Sequence, residues 1–174
     1  MTKLFDIIIH YTIGVLVILL TSYIIITYVG QRTEVVGNSM YPTLEDGDQL
    51  IVNKLTYKVS APKRFDVVVF PCNGDYYVKR IIGMPGETVR INSSGAIFIN
   101  ERVLPDIVGL DTIEDAGVAW EPITLDANEY FVLGDNRNHS SDSRDFNVGN
   151  ISRGLIVGKV SFRILPLSDI GPVD

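Results

Sequence analysis

The sequence is short of sulfur, short of histidine and, over one long stretch, without charge, and each shortage removes a class of chemistry. Cys72 is the single cysteine. No disulfide can close within the chain, and a thiolate zinc site lacks its ligands. The two histidines, His10 and His139, stand far apart and suggest no metal. There is no run of Lys and Arg and the formal net charge is -6. A phosphate-binding surface wants a basic face, so nucleic acid is not expected as a partner.

The stretch without charge runs over residues 7–31 and is apolar nearly throughout. About 23 helical residues rising 1.5 Å each span roughly 35 Å, enough for a bilayer's hydrocarbon layer with some tilt. A cleavable secretion signal is the alternative, but its apolar core is shorter and ends in small residues. This run ends Tyr28-Val29-Gly30-Gln31-Arg32. A retained, single-pass membrane anchor is therefore expected over residues 1–31, with a separate domain over 32–174. Flanking charges barely orient it, because Lys3 and Arg32 lie on opposite sides. Residues 33–174 carry 13 basic and 20 acidic groups, which mildly favours the side away from the anionic inner leaflet.

Beyond the anchor no helical period stands out. Residues 33–36, 49–52, 64–70, 76–82, 129–133 and 155–164 read as strands, and 87–91 with 96–100 as a hairpin around Asn92-Ser93-Ser94-Gly95. Residues 54–63 read as a polar, mobile stretch and 106–120 as a long surface excursion. The fold expected is mainly β, an antiparallel sheet domain behind an N-terminal transmembrane helix. With 174 residues, 46% of them hydrophobic, one domain with its own core and a small inserted region at about 100–125 is the natural size.

The chemistry gathers at three places. In Gly37-Asn38-Ser39-Met40-Tyr41-Pro42-Thr43-Leu44, glycine allows a sharp turn and proline stops a helix, so the Ser39 hydroxyl can be offered to solvent. A hydroxyl is a poor nucleophile without a base. Lys79 shares a strand face with Tyr77 and Ile81; if that face is covered, the ammonium loses hydration and its pKa falls toward neutrality. For any single strand lysine, reaching out to water is the commoner arrangement. Gly134-Asp135-Asn136-Arg137-Asn138-His139-Ser140-Ser141-Asp142-Ser143-Arg144 packs hydroxyls and opposite charges into one segment. It suits the orienting of an amine and internal bracing by ion pairs, though many polar loops are simply solvated. A triad of Ser39, His139 and Asp142 is a further possibility, requiring His139 and Asp142 to fold back on each other within one loop.

Together these stretches resemble type I signal peptidases of the Gram-positive bacterial form, over nearly the whole chain. The resemblance is carried by the apolar N-terminus, by Ser-Met-x-Pro-Thr-Leu at 39–44, by 64–70, by Val78-Lys79-Arg80-Ile81-Ile82-Gly83-Met84-Pro85-Gly86, by 134–144, and by Gly158-Lys159 with Pro166. It implies a plasma-membrane serine endopeptidase with its catalytic domain on the extracytoplasmic side. Such an enzyme removes signal peptides from exported preproteins after small residues, of Ala-x-Ala type. Ser39 would be the nucleophile and Lys79 the base. Ser140 would orient the lysine, Asp142 and Arg144 would form an ion pair, and Asp135 and Arg137 occupy further patterned positions. The oxyanion would rest on the Ser39 backbone N–H, since Gly37 stands where some members have a serine. Met40, Leu44 and Tyr77 would line the first pocket, Val35 and Val78 the third. The partners implied are signal peptides, the lipid bilayer and a secretion translocon, with no cofactor and no metal. The same serine and lysine pairing occurs in LexA-type repressors that cut themselves, but those carry an N-terminal DNA-binding domain where this chain has its apolar run.

Overall fold

The structure, a computed structural model, describes residues 2–24, 30–105 and 111–173, with the side chains of the first helix described over 7–23. Residues 25–29 of the expected anchor and 106–110 of the expected excursion lie outside the described residues. Helix α1 (Thr2–Ile24) opens the chain. Its apolar side chains point outward, with Leu16, Ile18, Leu19 and Leu20 each about 60% exposed. Among the described residues no helix is long and apolar enough to cross a membrane.

The chain after this helix is mainly antiparallel β structure. The strands of the first sheet are β1 (Gly30–Glu34), β2 (Gln49–Asn53), β3 (Val67–Cys72), β4 (Asp75–Gly83), β9 (Glu129–Leu133), β10 (Ile151–Ser152), β11 (Gly158–Leu165) and β12 (Gly171–Pro172). They lie in the order β1-β2-β11-β3-β4-β9-β10, and β12 pairs with β11. A second sheet takes β5 (Thr88–Ile91), β6 (Ile97–Ile99), β7 (Arg102–Val103) and β8 (Ile123–Thr124) in the order β7-β6-β5-β8. It is wider than the small insertion the sequence suggests.

Burial on both faces explains why the start of β3, Val67-Val68-Val69-Phe70, reads as a continuous apolar run rather than an alternating one. Val67, Val69 and Val78 join Leu50, Val52 and Val160 in one core, while Val68, Phe70 and Ile81 join Tyr130 and Val132 in another. Strand β3 begins at Val67 rather than at residue 64, because Phe65 takes φ 71° and Asp66 turns the chain by accepting from Lys63 N–H at 2.9 Å. Residues 54–63 are more ordered than a mobile loop: a one-turn helix, α2 (Thr56–Val59), is tied down by Tyr57 donating to buried Asp66 at 2.8 Å.

The surface excursion expected at 106–120 is mostly exposed over its described part, residues 111–120, but two side chains anchor it. Ile113 and Ala119 are buried in the core of the second sheet, and Asn138 staples the segment by accepting from Glu114 N–H and donating to Thr112 C=O, both at 3.0 Å. An amphiphilic segment without period can still be held by such irregular contacts, which no periodicity announces.

The two sheets meet at the end of β4. A methyl group on Gly83 would come within 2.6 Å of Val89 Cγ2, 2.8 Å of Leu125 Cδ1 and 2.9 Å of Phe131 Cβ. Gly83→Ala should therefore lower stability by about 1–3 kcal/mol through overpacking, seen as a lower urea midpoint with unchanged slope. A variant as stable as the parent would contradict this packing.

Candidate active site

Among the described residues strand β1 pairs only with β2, so its outer edge is open. Strand β4 pairs with β9 only over residues 80–83, which leaves the edge of residues 75–79 open as well. Between these two edges lies a groove of about 500 Å³. Thr33, Val35 and Val36 wall one side; Tyr76, Tyr77 and Val78 wall the other. Ser39, Lys79 and Ser141 sit in it.

Ser39 is carried there by a tight turn. Gly37 takes φ 85°, a conformation that favours glycine, and its N–H donates to Asp46 Oδ1 at 2.6 Å. Tyr41 N–H then reaches Asn38 C=O at 3.1 Å and Leu44 N–H reaches Met40 C=O at 2.9 Å, coiling the chain so that Met40 and Leu44 point into the core. The Ser39 carbonyl is held from outside by Asn136 N–H at 3.1 Å. Gly134 lies so close to that carbonyl and to the Ser140 hydroxyl that any side chain there would collide with both.

Lys79 lies opposite Val68 in the β3–β4 ladder and is 4% exposed. Its Nζ is 2.7 Å from Ser39 Oγ and 3.1 Å from the Val78 carbonyl oxygen. Burial lowers the amine from the usual lysine value of 10.5 to about 8, while the carboxylates of Asp142 and Asp135 pull the other way. The Tyr77 ring, 5.3 Å from Nζ, also favours the charged form. Desolvation wins.

Two buried ion pairs brace this centre. Asp142 Oδ1 and Oδ2 accept from Arg144 Nε and one guanidinium NH2 at 2.8 and 2.9 Å, and Oδ2 also takes Gly134 N–H at 3.1 Å. Asp135 takes a forked pair of bonds from Arg80 at 2.9 and 2.8 Å, and Thr43 Oγ1 donates to it at 2.6 Å. Thus Arg80, next to Lys79 in β4, is tied through Asp135 to the turn that carries Ser39. The sequence pattern flags Asp135 but not its partners.

The groove wall contains Val35, Met40, Tyr77 and Val78 of the residues expected there. Leu44 is corrected: it is fully buried among Leu50, Val52 and Val160, because the turn from Met40 rotates it away from the groove. The Ser140 hydroxyl, expected to orient the lysine, has no hydrogen-bond partner among the described residues. Ser141 is the wall residue that sequence reasoning passes over; only its place between two flagged neighbours points to it. His139 is exposed and does not line the groove, and both Asp142 oxygens are engaged, so the triad does not form.

A nucleophile in contact with a desolvated amine, at the floor of a groove between two open strand edges, has the parts of a peptide hydrolase. The family model described as signal peptidase, peptidase S26, matches residues 8–165. A signal peptidase I of Leptolyngbya laminosa is 35% identical over 170 residues, covering 92% of this chain and 80% of that one. A signal peptidase IB of Staphylococcus aureus is 34% identical over 178 residues, covering 93% and 92%. A solved signal peptidase I from Enterococcus faecalis is 31% identical, with TM-score 0.47 over 59% of this chain and 98% of that one. With the family match spanning most of the chain and relatives aligned along nearly its full length, this chain belongs to the signal peptidase family, peptidase S26, and is a serine peptidase of the type I signal peptidase group.

Proposed function

We propose that Ser39 and Lys79 form a catalytic dyad that cuts signal peptides from preproteins after small residues, on a domain tethered to the outer face of the plasma membrane. The observation that carries the reading is the 2.7 Å approach of a buried lysine amine to the serine hydroxyl. In its neutral form Nζ accepts the Ser39 proton as Oγ attacks the scissile carbonyl carbon. The oxyanion that forms is received by the Ser39 backbone N–H. Gly37 N–H is not free to share the task, being committed to Asp46. As the C–N bond breaks, the Lys79 ammonium returns the proton to the departing amine. The neutral amine then activates the water that releases the acyl group.

A substrate would bind extended, adding a strand between the edges of β1 and residues 75–79 of β4. Walls made of Val35, Met40, Tyr77 and Val78 leave shallow apolar recesses, which suit alanine-sized side chains at the first and third positions before the cut. Asp135 and the Asp142–Arg144 pair hold the loop that positions the serine carbonyl. Ser39→Ala and Lys79→Ala should each reduce preprotein cleavage in detergent by about 10³-fold or more. His139→Ala should stay close to the parent. Retained activity in Lys79→Ala removes the dyad.

The anchor reading rests on the charge-free, apolar run 7–31 of the sequence and on the exposure of the large apolar side chains of α1 over residues 7–23. We assign residues 1–31 to a cytoplasmic tip and membrane span and 32–174 to the extracytoplasmic catalytic domain, with signal peptides, lipid and a secretion translocon as partners. The full chain should resist alkaline carbonate extraction from membranes, and cells opened only at the outer face should expose residues beyond 32 to added protease. Release by carbonate, or protection of the domain from outside, contradicts the assignment.

A further inference from the structure

The catalytic groove does not end at Ser39. Ser141 belongs to its wall and also to the wall of an adjoining cleft of about 340 Å³. Ser140, whose buried hydroxyl has no hydrogen-bond partner among the described residues, lines this second cleft too. The opposite wall is the segment beginning at Glu114. It is fixed in place by Asn138, which accepts from Glu114 N–H, and by Val118 N–H, which donates to Arg144 C=O at 3.0 Å.

The two regions differ in chemistry. Valine, methionine and tyrosine make up half of the lining of the groove beside β1, which also carries Glu34 and Asp75; the second cleft has no apolar side chain in its lining and presents Glu114 and Asp115 toward solvent, with Asp145 half-buried. The arginines near it do not offset them at its surface. Arg144 is bound to Asp142 and to the carbonyls of Asp115 and Arg137, and Arg137 is 1% exposed. The charges a ligand meets are therefore acidic.

We propose that this cleft holds the substrate residues on the far side of the cut, and that it favours a basic and disfavours an acidic side chain among the first of them. The inference rests on the Ser39–Lys79 reading. A chain laid between β1 and β4 with its scissile bond at Ser39 leaves past Ser141, the residue common to both walls. The acidic rim, with Glu114 and Asp115 exposed, then acts on that segment's side chains.

Three peptides identical up to the cut, with Lys, Gln or Glu as the second residue after it, test the idea with the full-length enzyme in detergent at low salt. The expected order of kcat/KM is Lys, then Gln, then Glu, with a total span of about threefold to tenfold that shrinks at about 0.5 M salt. Glu114→Lys should flatten or invert the order, and Glu114→Gln should narrow it. Equal rates for the three peptides, or an unchanged span in Glu114→Lys, overturn the inference. Ser39→Ala serves as the control that separates the two failures. Cleavage that depends on Ser39 but ignores charge removes only the cleft assignment, whereas cleavage that survives Ser39→Ala removes the dyad beneath it.

Discussion

Everything at the centre of this protein depends on keeping one amine dry. Lys79 Nζ sits 2.7 Å from Ser39 Oγ with its side chain 4% exposed, and burial brings its pKa from 10.5 to about 8. That difference corresponds to about 3 kcal/mol of lost preference for the ammonium. Below about pH 8 the fold carries this cost in full. As pH rises from about 8 toward 10.5 the unfolded chain still binds the proton that the folded one has lost, so stability rises across that window. In the proposed dyad the neutral form is the useful one, which gives the fold a reason to keep a destabilising group. The buried carboxylates of Asp142 and Asp135 moderate the shift.

The dry amine would be useless without a fixed partner, and buried ion pairs supply the fixing. Arg80 comes directly after Lys79 in the chain and shares Asp135 with Thr43, so the strand that carries Lys79 and the turn that carries Ser39 grip the same carboxylate. Asp142 and Arg144 brace the loop that backs the Ser39 carbonyl, with Gly134 N–H bonded into the same cluster. Such pairs contribute little net stability compared with an apolar replacement, but removing one member strands a buried charge at about 3–5 kcal/mol. Here they set geometry more than they set stability.

Much of this is legible in the sequence where local chemistry decides. Residues 129–133 read as a strand and form β9, because buried aromatic and β-branched residues have few other uses. Strand alternation puts Lys79 on a face with Tyr77 and Ile81, and the ladder sets Val68 and Phe70 beside Lys79 and Tyr77 on that same face. Contacts between distant parts of the chain are not legible in this way. Arg80 and Asp135 lie 55 residues apart, and no spacing joins them. Leu44 reads as a groove residue by motif position, but one hydrogen bond from its N–H to Met40 turns it into the core. The packing of Ile113 and Ala119 beneath the second sheet rests on Asn138, a residue that reads as an ordinary loop polar. Ser141 carries no distinctive chemistry until two walls are seen to share it.

On the proposed reading the open edges of β1 and β4 set the substrate geometry: main-chain hydrogen bonds would hold the peptide and shallow walls would read its side chains. A desolvated amine beside the serine remains the premise of all of it. The most direct measurement is a titration of the Lys79 side-chain nitrogen by ¹⁵N NMR in lysine-labelled full-length protein, assigned by the signal lost in Lys79→Arg. A midpoint near 8 is predicted, and a midpoint at the usual 10.5 would contradict the account.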